Sequence, residues 1–148
     1  MPDHSAIIEP GGLTAVAAII IGFGVNVIMF RVQRELHMEE VKKEQTWIIG
    51  ADSLILASVA CAFLAVILVI LSLSFTIALA ACASAMTMQA GFIPAIFAHY
   101  RICFGKERKN LGLPRERSEP AEKWIVGISV VIALIVAAAV LVRYHCWP

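Results

Sequence analysis

The stretch Ser53–Ala98, SLILASVACAFLAVILVILSLSFTIALAACASAMTMQAGFIPAIFA, decides the fold. Its 46 residues include no Lys, Arg, Asp, Glu or His. As one straight helix it would be about 69 Å long, at 1.5 Å per residue. That is too long for one crossing of a hydrocarbon layer about 30 Å thick and suits two crossings joined by a turn. The turn is expected at SLSFT, Ser72–Thr76, whose hydroxyls bond locally to the backbone. Two further apolar blocks flank this one, Leu13–Phe30 and Trp124–Val142, each long enough for one crossing. The reading is an all-α integral membrane protein: one four-transmembrane-helix bundle over residues 1–148, with spans near 13–33, 47–72, 76–100 and 120–143.

Composition agrees. The chain is 60% hydrophobic and 16% charged over 148 residues, more apolar and less charged than a typical soluble domain. The net charge of +1 gives no reason to expect a nucleic-acid partner. The N-terminal MPDHSAIIEPGG has no basic region before the first apolar block, so that block reads as a retained span.

Charge placement sets the expected topology. Eleven of the twelve Lys and Arg fall within Arg31–Thr46 and His99–Lys123; the other is Arg143. A four-span chain puts both segments on one face, which the positive-inside rule makes cytoplasmic. A short hairpin and both termini are then expected on the other side. Trp47 and Trp124, and Tyr144 and Trp147, stand where interfacial aromatics belong. The first loop is rich in helix formers and offers the pairs Arg31/Glu35 and Glu39/Lys43, so span one should continue as a helix beyond the membrane. The second loop is broken by Gly105, Gly112, Pro114 and Pro120. Its end, SEPAEKW, reads as a helix start capped by Ser118 or Glu119.

Within lipid, helices associate through small residues that let backbones approach. Span three offers the packing face Ala83, Thr87, Gly91 and Ala95 at four-residue spacing, span one offers Thr14, Ala18, Gly22 and Asn26, and span four offers Ser129, Ala133 and Ala137. A stripe left over would drive self-association. Phe63–Leu71 is bulkier and suits a lipid-facing or oligomer-core position, and Pro94 is expected to kink span three.

Polar residues inside spans are costly and each asks for a reason. Asn26, Asp52 and Gln89 all fall in the half of the spans nearer the basic loops, with Ser53, Thr87 and His99 at similar depth. They read either as a polar pocket entered from the cytoplasm or as interhelical bonds with Asp52 at the headgroup boundary. Asp52 lies about 7 Å along the helix from Trp47. The four cysteines have no metal spacing, and the sequence carries no GxSxG, HExxH or Walker A motif. No metal or cofactor is therefore expected, and the sequence singles out no catalytic residue.

Three function classes fit: an oligomeric pore, channel or transport-type protein, a non-catalytic scaffold subunit of a larger membrane complex, and a small integral-membrane enzyme with a lipophilic substrate. The third has an outline to compare with. Four spans with both termini on one face are similar to the membrane-associated eicosanoid and glutathione metabolism proteins. RVQRELHMEE, residues 31–40, resembles the Arg-rich motif that opens that family's second span. Here it follows span one and lacks the motif's asparagine, so no site residue carries over. The pore or transport reading, built from a homo-oligomer in the lipid bilayer, is the leading expectation.

Overall fold

The computed structural model describes residues 9–42, 50–100 and 120–146. They form four helices: α1 Pro10–Lys42, α2 Gly50–Ile70, α3 Phe75–Tyr100 and α4 Pro120–Cys146. All four are long and apolar enough to cross a membrane. The second basic loop, Trp47, Trp147, the caps Ser118 and Glu119, and the pairs Arg31/Glu35 and Glu39/Lys43 involve residues or side chains outside those described.

The helix ends follow from local chemistry. Proline opens both α1 and α4, at the first helical position where its missing N–H costs nothing. α1 runs on to Lys42 as one helix of 33 residues, continuing past the apolar block as expected. The α2–α3 hairpin turns within residues 71–74. Ser72 adopts a left-handed conformation, φ 50°, at a position glycine usually fills. Its N–H donates to Val69 O at 3.0 Å, and the N–H of Leu73 donates to Leu68 O at 3.1 Å, which closes α2 without a glycine. Ser74 then stands at the cap position of α3, with its Oγ facing the N–H of Ile77. α3 continues through Pro94 to Tyr100.

α2 and α3 pack along each other in the middle. α1 lies chiefly on α2 and α4 chiefly on α3, so α1 and α4 flank the central pair. Alanines make this closeness possible. Near the hairpin, Leu13, Ala17 and Ile20 of α1 meet Ala62 and Ala65 of α2 and Ala78, Cys82 and Ala85 of α3. Nearer the loop end, Leu54 and Ile55 of α2 pack with Met88, Phe92 and Ala95 of α3 and Ala133 of α4.

Two of the small-residue stripes meet inside the bundle. A Cβ on Gly91 would collide with Ser129, coming within 2.5 Å of its Cβ, so α3 and α4 cross where neither has bulk. The Ser84 hydroxyl donates to Ala133 O at 3.1 Å beside this crossing. Ala95 is buried, while Thr87 is half-buried and bonds Ala83 O of its own helix at 2.9 Å. The α1 stripe divides. Thr14 is half-buried, and Ala18, Gly22 and Asn26 face outward. Phe63, Leu64, Ile67 and Ile70 of α2 and Leu71 of the turn are exposed as well.

Candidate functional site

The polar side chains concentrate at the end of the bundle where α1 gives way to α2 and α3 to α4. Glu122, in the first turn of α4, is fully buried at 0% exposure. Its Oε1 accepts the N–H of Ala51 at 2.8 Å. Its Oε2 lies 2.8 Å from Nδ1 of His99, which is also buried.

The physical logic is local. Ala51 lies in the first turn of α2, where a helix supplies no acceptor of its own for the N–H. Glu122 supplies one from a helix starting 70 residues later in the chain. The carboxylate thus sits at the N-termini of both α2 and α4, whose dipoles stabilise negative charge. His99 stands in the last turn of α3, where positive charge is favoured. One side chain joins the ends of three helices.

The fourth helix is tied beside it. Arg31 of α1 meets Asp52 of α2 in a two-pronged contact, Nε to Oδ1 at 3.0 Å and a second guanidinium nitrogen to Oδ2 at 3.1 Å. The planar fork matches the carboxylate, which makes this geometry more specific than a single charge contact. Both side chains are about four-fifths buried or more, at 15% and 16% exposure. Ala51 and Asp52 are neighbours, so two consecutive residues of α2 hold α1, α3 and α4.

The three residues expected to share a pocket go to three different partners. Asp52 takes Arg31. Gln89 donates from Nε2 to Ile20 O at 2.7 Å, tying α3 to α1. Asn26 faces outward and donates to Gly22 O of its own helix at 2.8 Å. Ser58 ties α2 to Ala85 O of α3 at 2.8 Å. Among the described residues, the buried Ser58, His99 and Glu122 fasten helices together while the buried Ser129 bonds Ile125 O of its own helix, and no cluster of three metal-ligating side chains occurs.

Asp52→Asn breaks the two-pronged contact. Exposed pairs are worth below about 1 kcal/mol and fully buried ones about 3–5 kcal/mol when broken. This half-way case should lose about 2 kcal/mol. A double-mutant cycle with Arg31→Met in reversible unfolding reads the coupling directly. A coupling near zero would mean the contact contributes nothing to the bundle.

From sequence, Glu122 lies within the helix start SEPAEKW, and Arg31 pairs with Glu35 on the continuation of span one. No family model, curated protein or solved structure matches the chain.

Proposed function

We propose that the chain is an integral membrane protein that works as an assembly of identical copies, and that the assembly provides a passage across the bilayer between copies. The basic loops lie on the cytoplasmic side in this reading, and the hairpin and both termini lie opposite. The passage falls between copies because the middle of each bundle is filled, by Leu54, Ile55 and Phe92 at one end and by the buried alanines at the other.

The observation that carries association is the outward face of α1. Gly11, Ala15, Ala18 and Gly22, followed by Val25, Met29, Val32 and Leu36, are all exposed. Their spacing alternates four and three, the repeat of a helix seam that meets a second helix. The opposite face, Leu13, Ala17, Ile20 and Gly24, has the same repeat and is buried in the bundle. Exposed apolar residues within lipid mean little. Leu36, at 60% exposure, stands beyond Arg31 and Arg34, where the helix leaves the apolar block. A partner helix lying along α1 would cover this side chain together with Val32 one turn earlier.

The glycines add support. A Cβ on Gly24 would strike Val59, so the bundle itself needs that glycine. A Cβ on Gly11 or Gly22 would meet nothing within 4 Å. The bundle has no use for glycine at those two places, whereas a second helix in close approach does.

Purified chain reconstituted in liposomes, with mass measured in mild detergent, tests the reading. The expected result is a discrete oligomer and ion flux. Gly22→Leu should weaken association about tenfold while leaving each bundle folded. Association without flux would point to a scaffold subunit. A strict monomer would contradict the proposal.

A further inference from the structure

We propose, on the reading that copies meet along the outward face of α1, that Asn26 pairs with Asn26 of a second copy and holds that contact parallel and in register.

Asn26 stands on the outside of the bundle, where lipid offers it nothing to bond. Away from the first and last turns of the four spans, it is the only exposed amide, hydroxyl or charged side chain among the described residues. It lies five residues before Arg31, about 8 Å along the helix. Its exposed neighbours within a turn, Phe23, Met29 and Phe30, are apolar. Its short side chain has no stem to carry the polar head to the interface, as Lys or Arg has. The amide offers two N–H donors and one oxygen acceptor. One N–H is used, on Gly22 O of the same helix at 2.8 Å. Among the described residues, nothing takes the second N–H or donates to Oδ1. An unmet polar group is costly in hydrocarbon.

The partner follows by elimination. Because no other polar side chain faces outward at mid-span, a second copy has its own Asn26 to offer and no other side chain. Copies inserted in the same sense around an axis normal to the bilayer carry identical residues at identical depth. Two amides are self-complementary, since each gives an N–H and takes one, and each keeps its bond to Gly22 O. Asn26 stands four residues after Gly22 and three before Met29, both on the outward face. A Cβ on Gly22 would meet nothing in its own bundle, so the glycine leaves room for a second helix to come within the short reach of the amides. A slip of one turn, or an antiparallel contact, sets each amide against apolar side chains instead. One polar residue in an apolar helix seam fixes register in this way.

Two measurements on the whole chain in phosphatidylcholine bilayers test this. Energy transfer between labelled copies, over a series of chain-to-lipid ratios, gives the strength of association. Asn26→Ala should associate about tenfold more weakly. Asn26→Gln keeps an amide and should recover most of that loss. Neither should change the unfolding of the single bundle, because the side chain faces away from it. The pairing itself is read by solid-state NMR. With Asn110→Gln, Asn26 is the sole asparagine. Chains labelled in asparagine nitrogen are mixed with chains labelled in asparagine carbon, and magnetisation should pass from Nδ2 of one copy to Cγ of another. Equal association of Asn26→Ala and the unsubstituted chain would overturn the pairing and leave the α1 contact standing. So would the absence of transfer between copies that do associate. A chain that stays monomeric at every ratio would overturn both.

Discussion

Replacing Glu122 by alanine should destabilise the bundle by about 3–5 kcal/mol, the cost of breaking a buried pair by removing one partner. The loss has two parts. The buried His99 loses the carboxylate at its Nδ1, and the Ala51 N–H loses the acceptor that its own helix does not supply. Glu122→Gln keeps the shape and an acceptor for Ala51, so it should lose about 1–2 kcal/mol. Reversible unfolding in mixed micelles measures both. Equal losses in the two variants would show that charge alone matters. No loss in Glu122→Ala would remove the joint from the account of what holds the helices together.

The second large effect lies at the α3–α4 crossing. The Cβ that Gly91→Ala adds would meet Ser129 at its Cβ, 2.5 Å away, and at its hydroxyl. A Cβ cannot turn aside as a side-chain tip can, so the helices must separate. The expected loss is about 3 kcal/mol or more, the upper part of the range for overpacked cores. Separation also strains two interhelical bonds, Ser84 to Ala133 O and Glu122 to Ala51 N–H. Adding Ser129→Gly should recover much of the loss, giving a coupling well outside the additive range. Gly22→Ala is the control. Its added methyl meets nothing in the bundle, so monomer stability should be unchanged.

The four helices are legible because their cause is local. An uncharged run of 46 residues allows two crossings and a turn, and the observed turn, residues 71–74, overlaps the expected Ser72–Thr76 and begins one residue earlier. The closure itself was not legible, since Ser72 takes a left-handed conformation that sequence assigns first to glycine or asparagine. The packing stripe of α3 was legible at Gly91, where a small residue on one helix met a small residue on another.

Direction around a helix was not legible. Asn26 faces outward, whereas Gln89 reaches Ile20 of α1. Which way each points depends on how the helices turn against one another. Glu122 shows the same limit. An acid in a first helical turn looks alike whether it faces water or the core, and only the start of α2, 71 residues away in sequence, separates the two. Asp52 was read as a shallow carboxylate. Its partner Arg31 lies 21 residues earlier, and the sequence offers that arginine a nearer partner in Glu35, four residues on.

The proposal that copies join along α1 has one direct test. In a background with all four cysteines replaced by alanine, single cysteines are placed in turn along α1 from residue 11 to residue 36. Oxidative cross-linking between copies is then measured in native-like bilayers. The account predicts linked dimers at 11, 15, 18, 22, 25, 29, 32 and 36, with the four–three repeat, and none at the buried positions 13, 17, 20 and 24. Cross-links absent throughout, or equally frequent on both faces, would contradict it.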